Sequence, residues 1–452
     1  MQLTLPMAIR RPRLAVPSRL ATWILCWIVL PNLPFMAMWV VGGPPRYPEI
    51  LAAGTVGLIV RKARFPIKFA AFSLMLGYSV LSFISTLFSL SLASLLYSIR
   101  FLLELRPSAS IEYVVLAVLL AAALGAGWRL LRKPTDFQKP WQLLGAAFVL
   151  FALAALDLGM SAGSRGSYTR TAPAGAPFSS ATSETNFAAL AGGGNNLMIV
   201  MVEALGMPRD PGLQTRMMEP WRRRDIANRY DVRIGTSPFF GSTTSGEIRE
   251  LCGRWGDYAE LKARSDPGCL PAILAAKGYR TNAIHSFDGG FFDRTDWYPN
   301  IGFQNLQFRE ALFKEGAEAC PGVFPGACDR DVPRIIAKRL KQPGKPQFVY
   351  WLTVNSHIPV AADATLGTED CASFDKALAE DQAMACRLFS LWSEVGDSLA
   401  TMLADPTLPP TDVLIVGDHA PPFFDRRQRA LFHQDRVPWI LLKHRTVADE
   451  AR

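Results

Sequence analysis

Five apolar segments occupy the first 161 residues and constrain the fold more than any other feature of the chain. They cover about 21–41, 48–60, 67–89, 111–128 and 141–160. Crossing the hydrocarbon core of a bilayer takes about 20 apolar residues, so the short second segment needs a tilt or the Gly/Pro-rich stretch before it. Five segments in series exceed the single apolar region of a signal peptide. We therefore expect residues 1–161 to form a transmembrane domain of five helices.

The distribution of charge predicts how these segments are oriented. Residues 1–165 hold 16 Lys and Arg against 5 Asp and Glu, whereas residues 166–452 hold 32 against 34. The basic residues cluster before the first segment, between the second and third, and between the fourth and fifth, which the positive-inside rule places in the cytoplasm. The C-terminal domain is then outside. Because the basic excess reflects membrane topology, we expect no nucleic-acid partner.

Three smaller features belong to this region. Residues 92–105 predict either an amphipathic helix on the outer surface or an extension of the third segment. Asp157 lies near the end of the fifth segment, where depth at the interface explains a carboxylate better than function does. Residues 162–195 are rich in Gly, Ser, Ala and Thr, and predict a flexible linker before a soluble domain over 196–452.

Six of the seven cysteines fall in the soluble domain, and their spacing predicts disulfide bonds. They form three sequence-near couples, Cys252–Cys269, Cys320–Cys328 and Cys371–Cys386. An oxidising compartment outside the cytoplasm favours disulfides. The alternative is a zinc site built from Cys pairs, but the chain has no C-x-x-C and the spacings fit no common zinc module.

The soluble domain alternates short apolar runs with stretches of helical period, which predicts an α/β sheet layered by helices. The predicted strands are 197–202, 230–234, 281–284, 347–354, 412–416 and 438–442, and the clearest helices are 332–340 and 377–404. In such sheets, functional groups collect at the carboxyl ends of the strands.

Polar side chains follow two of these strands directly. Glu203 comes after the first, and Asp418 and His419 come after 412–416. Together they could hold one divalent cation, and mixed oxygen and nitrogen ligands suit Zn²⁺ or Mn²⁺, with Mg²⁺ as a further option. Taken singly, each is weak evidence, since Glu203 could cap a helix.

The stretch G-S-T-T-S-G-E-I-R-E-L-C-G over 241–253 opens a predicted helix with a run of hydroxyls. It can be a capping box, in which Thr243 or Thr244 is the N-cap residue and the side chain of Glu247 or Glu250 hydrogen-bonds back to its backbone N–H. It can also present a hydroxyl nucleophile and free N–H groups to a phosphate. The two interpretations are compatible.

This stretch resembles the nucleophile segment of the membrane-anchored phosphoglycerol transferases. That group includes lipoteichoic acid synthase and glucan phosphoglycerol transferases, and is related to lipid A phosphoethanolamine transferases, all within the alkaline phosphatase/sulfatase superfamily. The match puts Thr243 at the nucleophile, with Thr244 one register away. The Cys/Ser-x-Pro-x-Arg segment of the sulfatase branch is missing from the sequence.

The resemblance also implies roles for residues elsewhere in the domain. Glu203, Asp418, His419 and Thr243 are implied as metal ligands. The implied substrate-binding residues are His285, Phe292, Arg294 and His357, where Phe292 replaces the Trp of the synthase branch. His433 lies near a Val-Pro, at an offset unlike that in the phosphoethanolamine transferases, and is a further candidate.

The activity that the resemblance implies is metal-dependent transfer of a phospholipid headgroup, with phosphoglycerol as the first choice, to a glycan hydroxyl through a phospho-threonine intermediate. The donor is then phosphatidylglycerol or phosphatidylethanolamine, and the location is a bacterial inner membrane with the catalytic domain in the periplasm. Three alternatives stay open: a phosphoethanolamine transferase acting on lipid A or glycan, a sulfatase-like phosphodiesterase or other hydrolase, and a non-catalytic membrane scaffold.

Overall fold

The computed structural model describes residues 18–36, 45–88, 111–161, 172–256, 258–423 and 425–445. The chain divides into two compact units. Of the described residues, the first contains 18–36, 45–80 and 116–161, and the second contains 81–88, 111–115 and the ranges from 172 to 445.

The first unit has helices at all five predicted segments. Helix α1 is Ser18–Ile24 and continues as a π-helix over Leu25–Val29; the others are α2 Leu33–Met36, α3 Tyr47–Ile59, α4 Phe65–Phe88, α5 Ile111–Leu130 and α6 Pro140–Ser161. By length and composition, two stretches among the described residues could cross a membrane, 65–86 and 140–160. Shorter apolar helices cover 19–29 and 114–130. The predicted number of five spans is therefore supported only in part, and 37–41 and 92–105 lie outside the described residues.

The second unit is built on a mixed sheet of seven strands. In chain order the strands of the unit are β1 Asn196–Val202, β2 Tyr230–Pro238, β3 Arg280–His285, β4 Asn305–Gln307, β5 Ala319–Cys320, β6 Gly326–Ala327, β7 Gln347–Leu352, β8 Thr411–Gly417 and β9 Arg436–His444. The order across the large sheet is β2-β9-β8-β1-β7-β3-β4, and β5 pairs only with β6. Strands β8, β1, β7, β3 and β4 are parallel, and β9 is antiparallel to both of its neighbours.

The central strands β1, β7 and β8 are buried along their whole length. Helices cover both faces of a parallel sheet, so neither face of its strands contacts solvent, which explains their continuous apolar runs. All six predicted strands are confirmed. The short strands β4, β5 and β6 were not predicted, because two or three residues are too few to show an alternating pattern.

Helices in this unit precede and follow the strands. They are α7 Ala181–Glu184, α8 Pro211–Met217, α9 Arg224–Arg229, α10 Thr243–Cys252, α11 Leu270–Ala276, α12 Arg294–Trp297, α13 Arg309–Lys314, α14 Val332–Leu340, α15 Lys376–Asp381, α16 Ala383–Ala404 and α17 Arg426–Ala430. The prediction of one helix over 377–404 was wrong in one detail, since Gln382 leaves the helical conformation and separates α15 from α16.

The described part of the predicted linker is folded rather than flexible. Helix α7 begins with a capping box at Ser180, and the backbone N–H of Thr182 donates to Glu250 Oε2 at 2.9 Å. Phe187 is fully buried. A single buried aromatic side chain and a few hydrogen bonds suffice to order a segment that is otherwise rich in Gly and Ser.

The three predicted disulfides are confirmed. Cys252 pairs with Cys269, Cys320 with Cys328, and Cys371 with Cys386. The first of them joins the last residue of α10 to the residue before α11, so it fixes the carboxyl end of the helix that begins at Thr243.

Candidate active site

The predicted site residues lie at the carboxyl ends of neighbouring parallel strands. Glu203 follows β1, Asp418 and His419 follow β8, and His285 ends β3. Because these strands are parallel and adjacent or nearly so in the sheet, their ends meet at one edge. The sheet therefore brings together side chains that are more than 200 residues apart in sequence.

Four side chains converge at the centre of this edge. One ligand atom each from Glu203, Asp418 and His419 lies within 4.8 Å of the others. The Oγ1 atom of Thr243 is 3.1 Å from Glu203 Oε2 and 3.3 Å from His419 Nε2. All four residues are buried. Thr244, the next residue on α10, is also buried but makes neither contact.

The donor atoms of this cluster suit a divalent cation. The imidazole Nδ1 of His419 lies 3.1 Å from the carbonyl oxygen of Ala420, which can only accept, so Nδ1 carries the proton and Nε2 presents its lone pair. That lone pair faces Asp418 Oδ2 at 3.2 Å and Glu203 Oε1 at 3.5 Å. Three electron-rich atoms at such distances repel one another unless a positive charge lies between them.

The two oxygens of the Asp418 carboxylate also point to a cation in this cluster. Asp418 Oδ1 accepts from the backbone N–H groups of Ala204 at 2.8 Å and His419 at 2.7 Å, whereas the buried Oδ2 accepts no hydrogen bond. Ligands about 2.0–2.2 Å from a tetrahedral zinc ion are about 3.3–3.6 Å apart. The four contacts among these side chains measure 3.1–3.5 Å. The residues therefore fit a metal ion of that size.

The electrostatics of these side chains agree with their geometry. Burial and the neighbouring Asp418 raise the pKa of the Glu203 carboxyl well above its usual value. Burial lowers the pKa of His419, which keeps its imidazole neutral and able to act as a ligand.

Helix α10 is placed against the end of β8 by contacts along one face. A Cβ atom on Gly246 would lie 3.0 Å from the Cα atom of Asp418, so only a glycine allows this approach without displacement. Arg249 donates from Nη1 to the carbonyl of Asp418 at 3.0 Å and from Nη2 to that of Gly417 at 2.7 Å. These contacts fix the position of α10, and therefore of Thr243, next to Asp418 and His419.

The capping-box interpretation of this segment was wrong. Ser242 is the N-cap residue, and its side chain makes no capping hydrogen bond. Glu250 accepts from Arg249 Nε at 2.7 Å and from the backbone of α7. Glu247, for its part, accepts from Arg294, Tyr298 and Tyr350.

This buried network around Glu247 was not predicted. Arg294 reaches Glu247 Oε2 from Nε at 3.1 Å and from Nη2 at 2.8 Å, and its Nη1 donates to the carbonyl of Phe291. Burial, Glu247 and Arg294 together shift the pKa of Tyr298, with the net effect a strong rise, so its hydroxyl stays a donor. Glu247 is one helical turn after Thr243, and that spacing could have indicated that it faces the same side of α10.

A cavity in front of Thr243 contains the implied substrate-binding residues. Its lining includes Glu203, Thr243, His285, Phe292, Arg294 and His357, with further phenylalanines at 287, 291 and 324. His285 Nδ1 is held by the carbonyl of Leu352 at 3.1 Å. Burial and Arg294 lower the pKa of His285, and burial and His419 lower the pKa of His357 to about 3. Both imidazoles are therefore neutral near pH 7.

The aromatic wall of the cavity includes an unusual backbone. Phe292 and Asp293 both have φ near +55°, a left-handed conformation that costs about 1–3 kcal/mol for residues other than glycine. The turn is held by Trp297 Nε1, which donates to the Phe292 carbonyl at 3.1 Å, and by Lys262, which pairs with Asp293 at 2.8 Å. It places the Phe292 ring beside Arg294.

His433 is not part of this lining among the described residues. Its backbone N–H donates to Met207, on the segment that follows β1, and its side chain is partly exposed. Burial, Arg209 and Arg436 lower the pKa of His433. The structure thus brings together every implied site residue except His433, and favours Thr243 over Thr244 by its contacts.

Comparison with known proteins is consistent with this arrangement. Residues 236–447 match the family model described as Sulfatase. A curated relative from Rhizobium meliloti, a putative cyclic beta-1,2-glucan modification protein, is 27% identical over 196 residues, which cover 41% of this chain and 30% of the relative. The match thus spans less than a third of that protein's length.

Solved structures give distant likenesses. The lipoteichoic acid synthase LtaP of Listeria monocytogenes has a TM-score of 0.43 at 18% identity, covering 55% of this chain and 65% of that one. The Streptococcus pyogenes phosphoglycerol transferase GacH has a TM-score of 0.39 at 17% identity, covering 57% of this chain and 73% of that one. The periplasmic domain of Escherichia coli EptC has a TM-score of 0.40 at 12% identity, covering 57% of this chain and 74% of that one. On the strength of the family match, residues 236–447 of this chain are similar to the Sulfatase family.

Proposed function

We propose that this protein is a metal-dependent transferase that moves a phospholipid headgroup, phosphoglycerol in the first instance, to a glycan hydroxyl through a covalent intermediate on Thr243. The observation that carries the proposal is the position of Thr243 Oγ1, within 3.3 Å of both Glu203 and His419 in a buried cluster of metal-ligand type. A threonine so placed is a nucleophile rather than a capping residue.

The metal would be held by Glu203, Asp418, His419 and Thr243 Oγ1. A bound Zn²⁺ or Mn²⁺ supplies a Lewis acid that lowers the pKa of a hydroxyl and balances charge on phosphoryl oxygens. Glu203 Oε2 lies where it can accept the Thr243 proton. The neutral imidazoles of His285 and His357 line the space in front of Thr243, where they can donate or accept hydrogen bonds at a phosphoryl oxygen.

The reaction has two steps. Thr243 Oγ forms a bond to phosphorus, the bond from phosphorus to the diacylglycerol oxygen breaks, and that oxygen takes up a proton. The resulting phosphodiester joins Thr243 to glycerol. A glycan hydroxyl then attacks phosphorus, loses its proton and releases the Thr243 oxygen, which is protonated again. Arg294 stays paired with Glu247 and positions the cavity wall.

The donor and acceptor belong to the proposal and have different support. The apolar N-terminal helices support a lipid donor and a membrane location, with the disulfide-bonded domain in the periplasm of a bacterium. The glucan-modification relative supports a glycan acceptor.

The decisive experiment is intact-mass analysis of the full chain after incubation with lipid vesicles and no acceptor. We expect phosphatidylglycerol to add the mass of one phosphoglycerol group to the wild-type protein and to Thr244→Ala, but not to Thr243→Ala. Vesicles of phosphatidylethanolamine test the other headgroup. An adduct on Thr243→Ala, or phosphoglycerol released with no adduct on any variant, would contradict the proposed intermediate.

Removing the metal tests the ligand cluster separately. After chelation we expect transfer to fall below detection, because the Lewis acid is gone, and the temperature of unfolding to drop, because the folded state loses the binding free energy of the ion. Zn²⁺ or Mn²⁺ is expected to restore both. A Glu203→Gln variant whose unfolding temperature still responds to metal as the wild type does would show that the ion binds elsewhere.

A further inference from the structure

A cavity lined by three polar and four apolar residues lies inside the N-terminal helical unit. Its lining includes Asn32, Phe35, Arg46 and Asp157, each no more than 4% exposed. Asn32 precedes α2, Arg46 precedes α3, and Asp157 lies near the end of α6. In the predicted orientation Arg46 and Asp157 lie at the outer face of the membrane, near the depth of the lipid headgroups, whereas Asn32 falls within the first predicted segment, 21–41.

Arg46 is held in this cavity without an acceptor for its side chain. Its backbone N–H donates to Asp157 Oδ2 at 2.5 Å, and its guanidinium carbon lies 3.4 Å from the centre of the Phe35 ring. Among the residues that the structure describes, the buried Nε, Nη1 and Nη2 atoms have no hydrogen-bond acceptor. A buried guanidinium is costly unless its N–H groups meet acceptors, and phosphate oxygens match its planar fork.

Asn32 contributes an acceptor to the same cavity. Its Nδ2 donates to the carbonyl of Ile28 at 2.8 Å, which fixes the orientation of the amide. The Oδ1 atom is then buried without a hydrogen bond. The cavity therefore offers N–H donors at Arg46 and an oxygen acceptor at Asn32, with the Asp157 carboxylate beside them.

We infer that this cavity binds the headgroup of a phospholipid, with the phosphate on Arg46 and a headgroup hydroxyl or ammonium on Asn32 Oδ1 and Asp157. The ligand must carry both anionic oxygens and a hydrogen-bond donor, and a phosphodiester of glycerol or ethanolamine has both. The lipid chemistry of this inference rests on the proposed function, in which such a lipid is the donor. The site itself is distinct in its residues from the cluster around Thr243.

The test measures lipid binding rather than turnover. The full chain carrying Thr243→Ala, which blocks the proposed transfer, is purified in detergent, stripped of lipid and titrated with short-chain phosphatidylglycerol, phosphatidylethanolamine or diacylglycerol. Native mass spectrometry counts the bound lipids, and thermal unfolding reports the stabilisation that each one gives. Glycerol 3-phosphate and inorganic phosphate are the control ligands, because they carry the phosphate of the headgroup but no acyl chains.

Arg46→Gln is the main variant, and Arg64→Gln, an exposed arginine just before α4, is the matched control. We expect Arg46→Gln to bind one phospholipid fewer, or to bind it at least tenfold more weakly, and to lose the lipid-induced rise in unfolding temperature. Arg64→Gln is expected to behave as its parent. Diacylglycerol, which lacks the phosphate, is expected not to discriminate between them.

Equal phospholipid stoichiometry and affinity in Arg46→Gln and its parent would overturn the inference. Arg46-dependent binding of inorganic phosphate with no added affinity for the lipid would overturn the lipid assignment. If Arg46→Gln does not fold, Asn32→Ala removes the acceptor together with the Nδ2 hydrogen bond to Ile28, and unchanged phospholipid binding in that variant overturns the inference too. If Arg46-dependent phospholipid binding is observed but the wild-type chain never forms a Thr243 adduct, this lipid site stands and the proposed transferase function is wrong.

Discussion

Asp329 is the buried carboxyl group that we expect to make the stability of the sulfatase-like domain depend on pH. Its Oδ2 accepts from the backbone N–H groups of Val354 at 3.0 Å and Asn355 at 2.7 Å, on the segment that leads from β7 to His357. Burial nevertheless raises the pKa of Asp329 to about 6. The folded state thus binds this proton more tightly than the unfolded state, so the stabilisation is present below about pH 4 and is lost as the pH rises through about 6.

We expect Asp329→Asn to raise the free energy of unfolding at pH 7.5 by up to about 3 kcal/mol, because the neutral amide needs no proton. The gain is expected to shrink towards pH 4. Urea unfolding of the two proteins at several pH values measures the difference. The control Asp381→Asn removes an exposed carboxylate and is expected to change stability by less than about 0.5 kcal/mol. A destabilised Asp329→Asn at pH 7.5 would mean that the ionised form is the one that the fold prefers.

The site residues differ in how far the sequence alone could predict them. Glu203, Asp418 and His419 follow apolar runs directly, and parallel strands bring such positions together whatever their distance along the chain. Glu247 could not be assigned in this way. A glutamate in the first turns of a helix has the same sequence signature whether it caps the helix or, as here, accepts from Arg294.

At the level of the secondary-structure elements, the placement of α10 depends on the close approach between Gly246 and Asp418. Alanine normally stabilises a helix over glycine by about 1 kcal/mol. At this position its Cβ atom would lie 3.0 Å from the Asp418 Cα atom and 3.1 Å from the Asp418 carbonyl oxygen. We therefore expect Gly246→Ala to move the helix away from β8 and to weaken metal binding by about tenfold or more.

Competition for zinc with a coloured chelator measures the affinity of Gly246→Ala. The matched control is Ser245→Ala, one residue earlier on the same helix, which gains helix propensity without this contact. It is expected to bind metal as the wild type does. Equal zinc affinity in the two variants would show that α10 can shift without disturbing Asp418.

The elements also show which local signals are reliable. Long apolar runs predicted the central strands β1, β7 and β8, because burial on both faces leaves a continuous signal. Composition misled at 172–195, where Gly and Ser predicted a linker but the buried Phe187 and the contacts of Glu250 order the chain. Tertiary contacts of that kind leave no trace in local composition.

At the level of the whole molecule, joining the sulfatase-like domain to apolar helices affects which substrates it can reach. A domain held at a bilayer meets lipid headgroups at a high effective concentration, and tethering of this kind can be worth about 10²–10⁴ in avidity. The described residues from 172 to 445 belong to one compact unit, and they contain the whole sheet, the three disulfides and the metal-ligand cluster. The chemistry and the access to lipid are therefore expected to be separable.

We expect the fragment 172–452, produced in an oxidising compartment, to cleave a water-soluble glycerophosphodiester at a rate within a few fold of the full chain. Its formation of the Thr243 adduct from phosphatidylglycerol vesicles is expected to be slower by about 10²-fold or more, because the fragment must find the bilayer by diffusion. Intact-mass time courses on both proteins, in the same vesicles, measure the difference. The full chain with phosphatidylglycerol in detergent micelles is the control for loss of the bilayer.

Equal rates of adduct formation from vesicles would mean that the helices serve a purpose other than lipid access. A fragment that is inactive on the soluble ester would mean that the domain needs the helices to form its site.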